Sequence, residues 1–431
     1  MHPALRRVRG HLLRPRVRER EIQQPLRGYP VTGDIPSLDR SAHGQAVARQ
    51  GEWRVHFDGY SEMLHMSRNI VICCDGTGNE YSESNSNVVK LYTALVCDRE
   101  QLTYYHPGVG TMGARATLTP VGRWWTKVIG LAFGYGISDN VADAYQFLMR
   151  NFEPGDQVYV FGFSRGAYTA RVLCGLLHIA GLLTKGNEGL IPYVIRMIQH
   201  KDIDFKVTQG FKATFSSECK PHFLGVWDTV SSVGWVYSAV HFPFTTLGHN
   251  PDINVARHAV SIDERRAFFR QNLLGTPSRL QQDVKEVWFA GVHSDVGGGY
   301  REAESQLSKI SLRWMLCESE QAGLRVDATR KAAVLGGQAP YVTSDPGTTH
   351  QHESLRGSWW IAEFWPKVVH KQDASGRWRK SIRVNLGSRR WIADRPVVHE
   401  SVEQRLANTN VLYKPSNLPQ QRSVACDSCV D

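Results

Sequence analysis

No stretch of this 431-residue chain approaches eighteen consecutive apolar residues, so no segment reads as a membrane-spanning helix. The longest apolar candidates, near Val128–Ile137 and Val172–Leu183, are too short or too broken by polar residues. The N-terminus has neither an apolar core nor a small-residue cleavage site, which excludes an ordinary secretory signal. The Cys74–Asn79 loop that follows the first predicted strand lacks the Lys-Ser/Thr of a P-loop and the full G-x-G-x-x-G spacing, so nucleotide phosphates are not its expected ligand. Internal repeats and low-complexity tracts are absent. The net charge is +10, but it sits on no recognisable nucleic-acid-binding module, and nucleic acid is not an expected partner. The eight cysteines are scattered, and several lie in predicted strands or helices, where the ordinary role is that of a small buried hydrophobe. Cys426 and Cys429 have C-x-x-C spacing but stand alone in a polar tail, a weak signal for metal or redox chemistry. The compartment these features suggest is reducing cytoplasm, with export by a specialised secretion system open because such systems need no N-terminal signal.

The chain is 42% hydrophobic, enough to bury one large α/β core. Its first twenty residues hold seven arginines and one acid, and residues 1–65 show little apolar periodicity. They read as a disordered leader, or as a segment upstream of a true start at Met63 or Met66. Residues 66–412 carry the recurrent strand and helix signals, and 413–431 read as a frayed polar tail.

Strands are expected at Asn69–Cys74, Leu102–His106, Gln157–Phe161, His222–Trp227 and Val284–Val292, because each is a short β-branched or aromatic run. Helices are expected at Ser138–Asn151, Ala167–Leu183, Val255–Arg270 and Leu307–Ala322. Alternation of the two types predicts an α/β fold: a mostly parallel sheet with helices on both faces, of the α/β-hydrolase kind. In such sheets ligands bind outside the carboxyl ends of the strands.

Three predicted strands end in residue types that do acyl-transfer chemistry. Gly162-Phe163-Ser164-Arg165-Gly166 fits the G-x-S-x-G nucleophile elbow, and it lies between a strand and a helix as that motif requires. Glycines two residues either side of the serine are needed because a Cβ there would meet the neighbouring strand and helix. Asp228 follows the strand ending at Trp227, and His293 follows the strand ending at Val292. Ser164 is the expected nucleophile, His293 the base that takes its proton, and Asp228 the acid that orients the imidazole. The chain order Ser, Asp, His is the α/β-hydrolase order. Oxyanion donors are expected from the backbone of Arg165 and from Gly76 or Thr77 in the early Asp-Gly-Thr-Gly loop. Asp75 organises that loop or is a plain turn residue. Asp-Gly-Thr-Gly is also an aspartic-protease turn sequence, but the second copy such an enzyme needs is missing.

A rival assignment stands beside this one. Asp295 lies two residues past His293 and could act as the acid, with His352 or His399 as base. The plainer alternative makes Asp295 a turn residue that pins Gly297–Gly299 through backbone N–H groups. His352 and His399 both sit in His-Glu-Ser contexts that resemble helix starts, where the serine would cap.

Residues 356–395 hold five of the twelve tryptophans, and ten Lys/Arg against three acids. Aromatics beside cations suit a lipid headgroup interface, which makes the segment a candidate for peripheral membrane contact. Tryptophans covering the sheet under a solvated arginine face would produce the same composition.

Four stretches together resemble one family: Cys74-Asp75-Gly76-Thr77-Gly78-Asn79, Gly162–Tyr168, Gly225-Val226-Trp227-Asp228-Thr229-Val230, and Gly291–Tyr300. They are similar to the uncharacterised α/β-hydrolase domain family that includes the type VI secretion phospholipase effectors. The likeness runs from about Arg68 to about Arg405 and includes Asp263–Arg266 and His399–Val402. It implies a Ser-Asp-His esterase fold with Ser164, Asp228 and His293 at the matching positions. For the secreted members it implies cleavage of glycerophospholipid acyl esters. Two departures stand out: Gly78 replaces a tryptophan found in many members, and the chain is shorter than the effectors. The sequence thus points to a serine hydrolase acting on carboxylic esters, most of all those of lipids, with no metal or cofactor required. A ligand-binding module on the same fold, and a thioesterase or peptidase using the same residues, remain as alternatives.

Overall fold

The computed structural model describes residues 67–76, 83–108, 136–199, 204–230, 245–338, 341–364, 367–372 and 378–427. The leader, Thr77, Gly78, Trp365 and Cys429 lie outside them.

Eight strands form one sheet. In chain order they are β1 (Asn69–Cys74), β2 (Gln101–His106), β3 (Gln157–Phe163), β4 (Pro221–Trp227), β5 (Val255–Ser261), β6 (Asp283–Phe289), β7 (Val397–His399) and β8 (Ser423–Ala425). Their spatial order is β8-β7-β6-β5-β4-β3-β1-β2, and every neighbouring pair is parallel. β1 is buried at all six positions and β3 at six of seven. Continuous apolar runs of this kind belong to strands covered on both faces. Helices Ile137–Asn151, Arg165–Ala180 and Ile191–Gln199 bury Val141, Leu148, Leu173, Leu177 and Val194 against one face. Helices Asn87–Ala94 and Gln306–Gln321 pack Leu91, Leu312, Trp314 and Met315 against the other. This is the expected α/β architecture. Chain order reverses between β1 and β3, which makes the cleft above their carboxyl ends the switch point where doubly wound sheets hold ligands.

The helix expected over Val255–Arg270 is instead β5 followed by a short 3-10 turn at Ala267–Phe269. The polar residues of this strand are buried and paired. Arg257 donates to Glu318 at 2.5 Å and to Asp283 at 2.6 Å, and His258 meets Glu286 at 2.9 Å. With those charges satisfied, Val255-Ala256-Arg257-His258 fits a central strand.

Residues 413–427 are not frayed. Tyr413 is buried and its hydroxyl donates to Asp263 at 2.9 Å, and β8 pairs in register with β7. A tail of weak local propensity is held by a partner that supplies the missing backbone bonds. Cys73, Cys74, Cys174 and Cys219 are free and buried. Cys317 is buried and disulfide-bonded. Among the described residues no helix is long and apolar enough to cross a membrane.

Candidate active site

Ser164 stands at the break between β3 and helix Arg165–Ala180 with φ 59°, ψ −118°. A non-glycine residue in the left-handed half of backbone space is strained, and that strain projects the side chain above the sheet edge. The neighbouring glycines are dictated by space. A Cβ on Gly162 would fall 2.5 Å from the Gly166 carbonyl oxygen, and one on Gly166 would fall 2.2 Å from that of Cys74. Ser164 is also tied to β4, its N–H donating to the Trp227 carbonyl at 3.0 Å.

Ser164 Oγ lies 2.8 Å from His293 Nε2, and His293 Nδ1 lies 2.5 Å from Asp228 Oδ2. His293 opens the short helix His293–Gly297 beyond β6, and Asp228 follows β4 with φ 39°. The imidazole lies between two rings: Phe163 at 4.6 Å and, edge-on, Phe269 at 4.8 Å. His293 and Asp228 are buried, while Ser164 is partly exposed.

The charges are arranged around that relay. Burial by itself disfavours the Asp228 carboxylate, but Arg390 and His293 outweigh it and hold the group well below the usual carboxylate range. Burial lowers His293 below the ordinary value of 6.5, with Asp228 opposing the shift. Glu264 accepts the His293 backbone N–H at 3.2 Å. Burial opposes its charge too, yet the Arg266 guanidinium, bound to both its oxygens, brings it down to about 2.

Asp228 accepts from four donors. Oδ1 takes the Ser261 N–H at 2.9 Å and Arg390 Nη1 at 2.5 Å; Oδ2 takes His293 and Arg390 Nη2 at 2.9 Å. Arg390 and Glu264 are absent from the expected site. Glu264 falls in the Asp263–Arg266 stretch of the family likeness, to which the sequence assigns no role, and Arg390 sits in Arg389-Arg390-Trp391, which reads as a solvated cationic face; only its partner 162 residues away shows otherwise.

The rival residues go elsewhere. Asp295 Oδ2 accepts the Val292 N–H at 3.0 Å, so it secures the start of its helix and not the Gly297–Gly299 turn. Asp295 Oδ1 meets His352 Nδ1 at 2.6 Å, and the His352 ring stacks on Tyr300 at 3.7 Å. His399 caps helix Glu400–Ala407, with Nδ1 accepting the Ser401 N–H at 3.2 Å and Nε2 facing Asp427 at 3.1 Å. The cap is thus the histidine itself, where the serine was expected.

Asp75 is buried and gathers the early loop. Its carboxylate accepts from Gly76 N at 2.6 Å, Ser86 Oγ at 2.7 Å and Tyr105 OH at 2.8 Å. The Gly76 N–H, an expected oxyanion donor, is therefore engaged by Asp75 here. Arg165 is the first residue of its helix, so its N–H is not consumed by the helical ladder and stands at the positive end of the dipole.

His399, Glu400 and Asp427 bring three donor atoms within 4.8 Å, the one grouping among the described residues suited to a metal. They line a cavity of about 510 Å³ at the carboxyl end of β7 with Lys309, Arg313 and Lys331. The Ser401 N–H on Nδ1 leaves the imidazole proton on Nε2, facing Asp427, which satisfies the pair without an ion. None of the lining residues is Ser164, Asp228 or His293.

A doubly wound parallel sheet with a strained serine at its switch point defines an α/β-hydrolase-like protein. Comparison with known proteins specifies the group. The family described as T6SS, phospholipase effector Tle1-like, catalytic domain matches residues 68–318, more than half of the chain, and this chain belongs to it. The uncharacterized protein YEL023C of Saccharomyces cerevisiae is 24% identical, over 82% of this chain and 81% of its own length. Two solved structures are similar over part of their length. An uncharacterized protein from Pseudomonas aeruginosa is 20% identical with a TM-score of 0.39, over 65% of this chain and 49% of that one. The Tle1 effector bound to the VgrG spike of the type VI secretion system is 15% identical with a TM-score of 0.34, over 61% and 74%. This chain therefore spans about half the length of the Pseudomonas protein.

Proposed function

We propose that the protein is a serine esterase that cleaves acyl esters of phospholipids through Ser164, His293 and Asp228. The observation that carries the reading is the unbroken relay of 2.8 Å and 2.5 Å from Ser164 Oγ through His293 to Asp228. Ser164 Oγ attacks the ester carbonyl carbon while His293 Nε2 takes its proton. The imidazolium then protonates the leaving alkoxide as the carbon–oxygen bond breaks, leaving an acyl-serine. Water, deprotonated by His293, attacks that ester, and Ser164 recovers its proton as the fatty acid departs. The Arg165 N–H, at the start of its helix, stabilises the tetrahedral oxyanion.

The lipid preference draws on the family's description and on an apolar rim. Trp360, Ile361, Phe364, Leu386 and Trp391 are exposed, Trp391 to 70%. This rim begins close to the imidazole: Trp359 meets Phe269 edge-on at 5.6 Å, and Phe269 meets His293. Exposed indole and aliphatic groups beside cations suit insertion at a headgroup boundary. Export by a secretion system would suit a family described by its type VI effectors.

The test is hydrolysis of phospholipid vesicles and short p-nitrophenyl esters by wild type and Ser164→Ala, with fluorophosphonate labelling. Labelling at Ser164 with loss of hydrolysis in the variant is expected. A variant that hydrolyses as well as wild type would overturn the reading.

A further inference from the structure

We propose that Arg390 is a positioning residue for the relay, fixing the plane and the charge of Asp228 and so setting the proton affinity of His293. The inference rests on the esterase reading above and adds to it a residue outside the span 68–318 that matches the family.

The Arg390 guanidinium is buried and makes five bonds. Two go to the two oxygens of Asp228, two to the carbonyl and hydroxyl of Ser261 at 3.1 and 2.7 Å, and one to the Phe269 carbonyl. Ser261 in turn donates its backbone N–H to Asp228. A planar fork bound to both oxygens of a carboxylate fixes its rotation as well as its position. Asp228 needs that constraint, because it holds a positive φ and follows directly from the end of its strand. The bond to the Phe269 carbonyl links the same guanidinium to the ring that packs on the imidazole. One side chain therefore fixes both the acid and one wall of the His293 site.

The electrostatic consequence has a definite sign. An isolated Asp228 anion 2.5 Å from Nδ1 would hold a proton on His293 strongly. Arg390 neutralises part of that field, which leaves the imidazole weaker as a resting base and free to accept the Ser164 proton only as the oxyanion forms. The charged groups that face this pair are Asp228, Glu264 and Arg266 around His293, and Arg270 beside Arg390. Arg266, which lowers His293 directly, is bound to both oxygens of Glu264, and Arg390 is the cation paired with Asp228 itself.

The experiment uses the full chain with Arg390→Met and Arg390→Lys, and reads two quantities. One is the proton affinity of His293, titrated by NMR in histidine-labelled protein. The other is the acid limb of kcat/KM on a p-nitrophenyl ester. Arg390→Met should raise the His293 titration and the acid limb together by about one pH unit and lower kcat roughly hundredfold through misplacement of the relay. Arg390→Lys restores the charge but not the fork, so it should bring the titration most of the way back while kcat stays depressed. In an Asp228→Asn background the Met substitution should change kcat little, because the two residues act as one unit. Removing half of a buried ion pair destabilises, and the Lys variant keeps the test open if the Met variant does not fold. Folded variants with unchanged titration and limb, and losses that track melting temperature alone, overturn the proposal. If wild type neither hydrolyses esters nor labels at Ser164, the esterase reading falls, while the NMR titration still decides the role of Arg390.

Discussion

Gly297 is pressed against Phe163: a Cβ built on the glycine would fall 1.9 Å from a ring atom. The same ring packs on the His293 imidazole at 4.6 Å. The glycine at the end of the His293 helix and the variable residue of the serine elbow are thus one packing unit. Gly297→Ala should cost ~1–3 kcal/mol by overpacking. It should also reduce kcat by roughly a hundredfold, because the displaced ring moves the base. Ala at 297 with Phe163→Leu should recover part of both losses. Thermal melts and steady-state kinetics on the three variants check this; full activity in Gly297→Ala would contradict it.

Removing single members of the relay should grade as their roles do. Ser164→Ala is expected to lower turnover on the order of a millionfold, and Asp228→Asn roughly ten-thousandfold by favouring the wrong imidazole tautomer. His399→Ala and His352→Ala should keep most activity, since both histidines are engaged elsewhere. Kinetics with circular dichroism decide the matter. A folded, inactive His399→Ala together with an active Asp228→Asn would favour the rival assignment.

Activity should persist into mildly acidic solution. His293 must be neutral to accept the Ser164 proton, and burial holds its proton affinity below the ordinary 6.5. The acid limb of kcat/KM should therefore lie below about 6.5. A limb well above 7 in wild type would mean that Asp228 dominates burial.

His352 gives the opposite dependence, and in stability. Its bond to Asp295 raises it above 6.5, with partial burial opposing. The folded state thus binds the proton more tightly than the unfolded chain. The added stability is complete below about pH 6.5 and is lost as pH rises through the raised value. Melting temperatures of wild type and His352→Ala should converge as pH increases between about 5.5 and 8.5. A difference that is constant across that range would show that the pair contributes packing alone.

Much of this protein is written locally. The elbow is legible because strand, glycine spacing, serine and helix are contiguous, and the steric reason for Gly162 and Gly166 acts across a few residues. Asp228 and His293 are legible because each follows a buried apolar run, and strand ends in a parallel sheet share one rim. Other features depend on partners that spacing does not place. Val255–Ser261 became a strand because Glu318, Asp283 and Glu286 satisfy its buried charges. Ser423–Ala425 became a strand because β7 offers an open edge. Arg390 joined the site because Asp228, 162 residues earlier, gave a buried guanidinium its counterion. Periodicity reports what a segment can bury, so the sequence by itself determined the elbow and the strand ends. Which charge meets which across the sheet is decided by desolvation and pairing in three dimensions, and only the tertiary structure decided that.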